Sequence, residues 1–181
     1  AILNNRIPMI DPAASKASED ALNKARMDLD SLGSTIETVI YGLNAGIGQP
    51  GFESLESKLA AICFGVPGVK GIEFGKGFGL ASMKGSSSND PFYYDNGIVK
   101  TRTNNMGGIL GGISNGMPVG FTVCMKPTSS ISREQESIDL ETGESAKLVI
   151  EGRHDPCIGI RAVPVMEACA ALAVLDSVSE E

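Results

Sequence analysis

The residues best equipped for acid–base chemistry lie at positions 152–157, where the sequence reads Gly-Arg-His-Asp-Pro-Cys. Arg153 could bind an anion through two parallel N–H donors. His154 and Asp155 could move a proton near neutral pH if burial or neighbouring groups tune them. An Asp-Pro turn with His154 facing solvent explains the same residues equally well. Because the chain contains one histidine, it cannot build a pair of catalytic histidines by itself.

A candidate anion site lies at positions 126–130, which read Lys-Pro-Thr-Ser-Ser. The ammonium group supplies charge, while hydroxyl and backbone N–H groups supply directional donors, so such a segment can hold a phosphate. A solvated turn at the end of a strand is the competing interpretation. Taken alone, these five residues favour the turn.

A glycine-rich run occupies positions 104–116 and holds five glycines, four of them in two Gly-Gly pairs. Each glycine inside a strand weakens it by roughly 0.5–1 kcal/mol relative to alanine, so four of them need a compensating reason. Close approach of another backbone or of a flat ligand would supply one. Tight packing of the strand against a helix would supply another, and the residues do not separate the two. The spacing differs from Gly-x-Gly-x-x-Gly and no helix is expected to follow, which excludes a dinucleotide-binding fingerprint.

The first half of the chain is predicted to alternate helices and strands that would position these segments. Asp11 and Pro12 predict the start of a helix that Gly33 closes. Apolar spacing and runs of β-branched residues then predict a strand at 34–43, a helix at 53–64 and a strand at 69–74. Residues 86–103 are polar and poor in aliphatic side chains, which predicts a mobile surface loop.

The second half is predicted to consist of hairpins and a final helix. An Asn115-Gly116 turn signal lies between the first pair of strand-like runs. The predicted hairpins are 106–113 with 119–125, and 137–140 with 146–150. The final helix, 164–178, is apolar around most of its circumference and must be buried on more than one side. Together these elements predict an α+β fold in which helices pack against an antiparallel β-sheet.

Composition narrows the class of protein. The chain has 181 residues and a net charge of -7, and it has no dense basic stretch, which argues against a nucleic-acid partner. No apolar run approaches the roughly 20 residues of a membrane-spanning helix, so we expect no membrane segment. The four cysteines lack the paired spacing of metal ligands, so we expect no metal site and buried free thiols in a reducing cytoplasm. The N-terminus has neither an initiating methionine nor a signal sequence, so we expect these residues to continue a longer chain.

Six motifs, in order along the whole chain, together resemble the chorismate synthase family. They are Ile7-Pro-Met with Asp11-Pro, Tyr41-Gly with Gly46-x-Gly-x-Pro50, Val69-Lys-Gly-Ile-Glu, the glycine-rich run 104–116, Lys126-Pro-Thr-Ser-Ser130, and 152–157 with Arg161-Ala-Val-Pro164. Several of these motifs are long, so chance is a poor explanation for the match.

The resemblance implies an activity. Members of the family convert 5-enolpyruvylshikimate-3-phosphate to chorismate in the shikimate pathway, which leads to aromatic amino acids, by 1,4-anti elimination of phosphate and a C6 hydrogen. The reaction needs reduced FMN (FMNH2), although it has no net redox change, and it makes the enzyme a carbon–oxygen lyase. The resemblance further implies a β-α-β sandwich, of which residues 1–181 would be the C-terminal part of a single domain, a homotetramer and a cytoplasmic location.

The resemblance also assigns roles to individual residues. The positions that match the flavin-contacting residues of the family are Gly111, Lys126, Pro127, Thr128, Ser129, Ser130 and Arg153. Pro67 and Gly68 occupy a flavin-contact turn of the family, although their residue types differ from those expected there. Asp155 matches an aspartate with a proposed part in proton relay at the flavin.

The family's two catalytic histidines, several substrate-binding arginines and an Arg-Ser-Ser flavin motif have no counterpart in these residues. We therefore expect the 181-residue chain to be the C-terminal half of the enzyme and to be inactive alone. Two other interpretations stay open at this point. One is a non-catalytic module that binds flavin or phosphate, and the other is a structural fragment in which the glycines serve helix packing.

Overall fold

The computed structural model describes residues 7–179, in which helices and strands alternate at first and seven consecutive strands then precede the last helix. The elements in chain order are α1 (Pro12–Met27), β1 (Ser34–Ile40), α2 (Leu55–Phe64), β2 (Val69–Phe74), α3 (Gly85–Ser88), β3 (Phe92–Asp95), β4 (Ile98–Thr101), β5 (Ile109–Leu110), β6 (Ile113–Ser114), β7 (Val119–Met125), β8 (Gln135–Ile138), β9 (Ser145–Leu148) and α4 (Gly159–Ser179). Three of the four sheets are antiparallel hairpins, β3–β4, β5–β6 and β8–β9. The predicted α+β class is therefore confirmed.

The described chain forms two compact units, residues 7–34 with 125–163 and residues 35–124 with 164–179. The first unit contains α1, the β8–β9 hairpin and the first five residues of α4. The second contains α2, β2 to β6, nearly all of β1 and β7, and the rest of α4. The predicted limits of the domain at residues 1 and 181 lie outside the described residues.

Helix α1 begins where the sequence predicts and ends earlier. The Oδ1 atom of Asp11 accepts a hydrogen bond from the N–H of Ala13 at 2.9 Å, and Pro12 occupies the first helical position, where its missing N–H costs nothing. The helix stops at Met27 because Leu29 adopts a left-handed backbone conformation, with φ of 56°. The expectation that Gly33 closes this helix was wrong.

The core of the second unit is formed by one face of β7 and by α2 and α4. Strand β7 lies at the centre of a three-stranded sheet in the order β1-β7-β2, and its alternate side chains Val119, Phe121 and Val123 are fully buried. Leu59 of α2 and Met166 of α4 are also fully buried. These side chains are among the largest that are fully buried in the unit.

The predicted hairpin between 106–113 and 119–125 does not form. Strand β5 instead turns back at Gly111 and Gly112 to pair with β6, so that Leu110 lies opposite Ile113. Both glycines have positive φ, which makes this tight turn accessible to them. Strand β7 does not pair with β5 or β6 and is instead the central strand of the three-stranded sheet.

Residues 86–103, predicted to be a loop, contain a short helix and the β3–β4 hairpin. Asn96 and Gly97 form a two-residue turn with φ of 51° and 83°, the backbone that an Asn-Gly hairpin turn requires. The Asn-Gly dipeptide was thus a local signal that sequence reasoning passed over. The mobility of the segment stays a prediction.

Helix α4 starts five residues before its predicted start at 164 and buries one face rather than several. Met166, Cys169 and Ala173 are buried, whereas Leu172 and Leu175 are 57% and 64% exposed. The expectation of burial on more than one side was therefore wrong for the described residues. By length and composition alone α4 could cross a membrane, but helices in the cores of water-soluble proteins pass the same test.

The four cysteines are free thiols in three environments. Cys63 of α2 and Cys169 of α4 are buried in the second unit, Cys157 is partly buried, and Cys124 is exposed, so uniform burial was a wrong expectation. Burial, reinforced by the neighbouring Cys169, raises the pKa of Cys63 to about 11. The buried pair therefore stays protonated at neutral pH and unreactive as a nucleophile.

Candidate functional site

The Lys-Pro-Thr-Ser-Ser segment directly follows the end of β7, as the sequence predicts. Lys126, Pro127 and Ser129 are exposed, while Thr128 and Ser130 are partly buried. The carbonyl oxygen of Thr128 accepts a hydrogen bond from the hydroxyl of Ser31 at 2.6 Å. The backbone of the segment is therefore fixed, while its cation stays accessible.

The loop between α1 and β1, which contains Ser31, also forms a hydrogen bond with the segment at 152–157. The N–H of Leu32 donates to the carbonyl oxygen of Pro156 at 2.7 Å. A Cβ atom on Gly33 would lie 3.2 Å from Cδ of Pro127 and 3.0 Å from the carbonyl oxygen of Met125, so the chain passes close to the end of β7 at this point. Residues 31–33 thus hold two of the predicted site segments in one unit.

Backbone contacts also hold the loop before α4. A ring nitrogen of His154, Nε2, lies 3.1 Å from the carbonyl oxygen of Ile150. His154 is therefore partly buried against its own loop rather than facing solvent. Arg153 is exposed and available to an anion. The contact of His154 is local, which agrees with giving it no catalytic role.

Asp155 forms an ion pair that the sequence did not predict. Its Oδ2 atom lies 2.8 Å from Nε of Arg161 in the first turn of α4, and the Asp155 side chain is 38% exposed. Both residues line a cleft of about 270 Å³ in the first unit, together with Arg26 and Cys157. The candidate proton-transfer residue thus combines an electrostatic partner with access to solvent.

The hydroxyl of Thr128 is a buried polar group without a partner in this segment. Its Oγ1 atom is buried and has no hydrogen-bond partner among the described residues. A buried hydroxyl without a partner costs roughly 1–3 kcal/mol, so such an atom calls for an explanation. A bound ligand that presents a hydrogen-bonding group would supply the partner, and the neighbouring Lys126 suits an anionic one. The donor set at 126–130 therefore fits the phosphate group of a nucleotide cofactor such as FMN.

The paired glycines of the glycine-rich run have different surroundings in the second unit. A Cβ atom on Gly107, Gly108 or Gly112 would lie 2.5–2.7 Å from backbone atoms of other segments, so these positions require glycine for close packing. A Cβ atom on Gly111 would meet nothing within 4 Å, and the residue is exposed at the β5–β6 turn. Packing thus explains three of the four paired glycines, whereas Gly111 is explained by its φ of 61° in the turn and has open space beside it.

Pro67 and Gly68 lie in the turn between α2 and β2 of the second unit. Pro67 is exposed, and Gly68 has φ of 96°, which is the left-handed region that glycine tolerates. The turn geometry explains the glycine without a ligand. The flavin contact proposed for these two residues stays a prediction.

Sequence reasoning missed Asp90, which braces the start of the glycine-rich run. Its Oδ1 atom accepts hydrogen bonds from the hydroxyl of Thr103 and the N–H of Asn105, both at 2.7 Å, and its Oδ2 atom accepts one from the N–H of Met106 at 2.9 Å. Burial alone would raise the pKa of Asp90, but these hydrogen bonds outweigh it and lower the pKa. No local sequence motif predicts these hydrogen bonds of Asp90, because its partners lie 13–16 residues away in sequence.

No group of three or more side chains that could bind a metal occurs within residues 7–179. The candidate chemistry rests on the cations, hydroxyls and carboxylate described above. In the first unit these are Lys126, Thr128, Arg153, Asp155 and Arg161, and in the second unit Gly111 is the open position.

Comparison with known proteins identifies the chain's relatives. The family model described as chorismate synthase matches residues 1–178. The chain is 46% identical to the chorismate synthase of Dehalococcoides mccartyi over 92% of its own length, and 44% identical to that of Methanothermobacter thermautotrophicus over 96%. Its fold matches a crystal structure of chorismate synthase with a TM-score of 0.76 and 25% sequence identity over 97% of the chain.

These matches cover only part of the relatives. The chain spans 46% of the length of each of these two relatives and 45% of the chain in the crystal structure. The sequence matches and the match in fold agree along nearly the whole of the present chain, and the resemblance seen in its motifs is confirmed. The chain belongs to the chorismate synthase family.

Proposed function

We propose that these residues form the C-terminal half of an enzyme that converts 5-enolpyruvylshikimate-3-phosphate to chorismate and phosphate, with reduced FMN as the cofactor. The observation that carries the proposal is the match of the family model to residues 1–178. The arrangement of the first unit supports it, because residues 31–33 hold together an exposed cationic segment and a loop with a solvent-accessible carboxylate. The proposal includes a cytoplasmic homotetramer that uses neither nucleic acid nor membrane as a partner.

The residues that would hold the cofactor are those with free charge or free hydrogen-bonding capacity. Lys126 and the hydroxyls of Thr128, Ser129 and Ser130 suit its phosphate, and Arg153 adds a second exposed cation. Gly111 would allow a flat ring system to approach the backbone, since nothing fills the space above it. When bound, reduced FMN would supply the electron-rich centre that the elimination of phosphate needs.

The protein itself would position the substrate and the cofactor, exclude water from them and move a proton. In this proposal Asp155 takes part in proton relay, because it is accessible from the cleft and its Oδ1 atom is not engaged in its ion pair. The family's histidines and Arg-Ser-Ser motif would come from a preceding half. The exposed apolar face of α4 agrees with a missing layer, since Leu172 and Leu175 would otherwise remain in water.

The test is anaerobic formation of chorismate from 5-enolpyruvylshikimate-3-phosphate with dithionite-reduced FMN. We compare the 181-residue chain with a polypeptide extended by its natural upstream sequence. Activity only in the extended form is expected. Chorismate formation by the short chain would show that the present residues suffice, and inactivity of both folded forms would rule out the lyase proposal.

Lys126→Ala in the extended polypeptide is expected to weaken FMN binding by about 1–3 kcal/mol, the cost of losing a charge-assisted hydrogen bond. Arg153→Ala should weaken flavin or substrate binding by a similar amount. Titration calorimetry with FMN measures the first effect directly. Lys147→Ala is the matched control, because Lys147 is an exposed lysine of the same unit whose ion-pair partner is Glu134. Equal dissociation constants for Lys126→Ala and wild type would show that residues 126–130 form a solvated turn and do not bind the cofactor.

A further inference from the structure

Arg161 contacts the candidate proton-transfer residue and has no role in the proposal above. Its Nε atom lies 2.8 Å from Oδ2 of Asp155, and both side chains line the cleft of the first unit. The Arg161 side chain is 74% exposed. An ion pair this exposed contributes little to the stability of the fold. Any effect of Arg161 on the reaction must therefore come from its contact with Asp155.

The backbones that carry the two charges are held independently of the ion pair. On one side, the carbonyl oxygen of Pro156, next to Asp155, accepts the N–H of Leu32. On the other side, Gly159 begins α4 so close to Ser34 that a Cβ atom would overlap the Ser34 hydroxyl. Arg161 is the third residue of that helix. The contact therefore fixes side-chain direction between two anchored backbones.

The ion pair engages one carboxylate oxygen and leaves the other free. Among the described residues, Arg161 is the only ion-pair partner of Asp155, and Oδ1 accepts no hydrogen bond. A carboxylate half-exposed to water and held by nothing would sample several rotamers. Holding Oδ2 reduces that freedom and directs Oδ1 to one position.

We propose that Arg161 is a positioning residue that holds the Asp155 carboxylate in the rotamer from which Oδ1 exchanges a proton during turnover. This inference rests on the proposed function, in which Asp155 takes part in proton relay. In the step concerned, the proton lost from C6 of the substrate is relayed to Oδ1 and the carboxylate becomes a neutral acid. The acid then releases this proton to solvent, which restores the carboxylate, and no electrons are transferred to or from the protein. Arg161 acts only through Asp155 and touches neither substrate nor cofactor.

The test uses the extended polypeptide with reduced FMN and compares Arg161→Ala, Arg161→Lys, Asp155→Asn and the double variant Arg161→Ala/Asp155→Asn. Arg161→Ala is expected to lower kcat roughly 10- to 100-fold, the cost of a misplaced catalytic group. KM for 5-enolpyruvylshikimate-3-phosphate and the dissociation constant for FMN should stay within about twofold of wild type, because Arg161 binds neither. Arg161→Lys should recover part of kcat, since it keeps the charge.

The double variant separates positioning from a general structural effect. If Arg161 acts through Asp155, adding Arg161→Ala to Asp155→Asn lowers kcat no further. Losses that multiply would overturn the inference. Arg133→Ala is the matched control, because Arg133 of the same unit forms an exposed ion pair with Asp30, and its kcat should equal that of wild type.

A crystal structure of flavin-free Arg161→Ala supplies a readout that does not depend on activity. We expect one ordered Asp155 rotamer in wild type and a displaced or disordered carboxylate in the variant. An unchanged rotamer, an unchanged kcat, or a change confined to KM would each overturn the inference. If Asp155→Asn itself turns over normally, the proposed role of Asp155 fails and the role of Arg161 fails with it. If Asp155→Asn is impaired while Arg161→Ala is normal, only the present inference fails.

Discussion

Asp155→Asn in the extended polypeptide is expected to lower turnover by roughly 100-fold or more, which is the usual contribution of a positioned acid or base. Asparagine keeps the size of the side chain and a carboxamide oxygen that can face Arg161, but it cannot take up the proton. Binding should change far less than turnover, so FMN affinity is expected to stay within about twofold of wild type. Single-turnover measurements under anaerobic conditions would report the chemical step directly.

The control for this substitution is Glu134→Gln. Glu134 is another carboxylate of the first unit in an exposed ion pair, in this case with Lys147. Its removal should leave turnover unchanged, because an exposed pair contributes little and Glu134 lies in no candidate site. Normal turnover in Asp155→Asn would remove Asp155 from the mechanism, and equal losses in both variants would indicate a nonspecific effect of lost charge.

Local sequence signals predicted those elements whose ends are defined by their own residues. Strand β2 occupies the predicted range Val69–Phe74, and α1 begins at the Asp11-Pro12 signal. The end of α1 was missed because it depends on Leu29, and nothing in the residue type of a leucine predicts a left-handed backbone. Helix ends without glycine or proline are therefore difficult to predict from sequence.

The hairpin near the glycine-rich run shows a different limit. Two turn signals, Gly111-Gly112 and Asn115-Gly116, lie within six residues of each other, and local chemistry permits either. The choice is made by distant partners, because β7 pairs with β1 and β2 rather than with the preceding strand. Such pairings depend on buried area across the sheet, which short-range patterns do not encode.

The sequence predicted the separate motifs of the candidate site but not how they are held together. Residues 126–130 and 152–157 were recognised from composition and resemblance, whereas the role of residues 31–33 in holding both was not. The contact of Ser31 with Thr128 spans 97 residues of sequence, and no periodicity relates the two. The ion pair of Asp155 with Arg161 was missed for a different reason. The two residues are six positions apart in sequence, but a loop and the start of α4 lie between them, so this spacing does not predict the distance between their side chains.

Of the two explanations that the sequence left open for the glycine-rich run, the structure supports close packing at three of the four paired glycines. Gly107, Gly108 and Gly112 are explained by close backbone packing, and Gly111 is not. A single motif can therefore contain glycines that close packing requires and a glycine that a turn requires. Substitutions at the packed glycines should therefore destabilise the fold most, whereas Gly111→Ala should cost about 1–2 kcal/mol, the strain of a left-handed backbone at a residue with a side chain. Urea unfolding measures both effects.

Asp90→Ala is expected to destabilise the protein by about 3 kcal/mol at pH 7, because each buried N–H that loses its acceptor costs about 1–3 kcal/mol. The N–H groups of Asn105 and Met106 would both lose the acceptor that fixes the start of the glycine-rich run. Asp90→Asn should have an intermediate effect, since its oxygen can replace Oδ1 while its NH2 group faces a second donor. Urea unfolding measures the loss, and hydrogen exchange at Asn105 and Met106 should accelerate in Asp90→Ala.

The effect of Asp90 should depend on pH in one direction. Its pKa is lower in the folded protein than in the unfolded chain, so the folded state favours the ionised carboxylate. The stabilisation is fully present above the unfolded pKa, near 3.9, and is lost as the pH falls through the lower folded value. The difference in stability between wild type and Asp90→Ala should therefore be constant from pH 7 to about pH 5 and shrink below pH 4. Asp95→Ala is the control, because Asp95 is a half-exposed acid of the β3–β4 hairpin whose ion pair with Lys100 faces solvent, and its unfolding midpoint should match wild type. A difference that grows as the pH falls would contradict the hydrogen-bonded, ionised Asp90 seen in the structure.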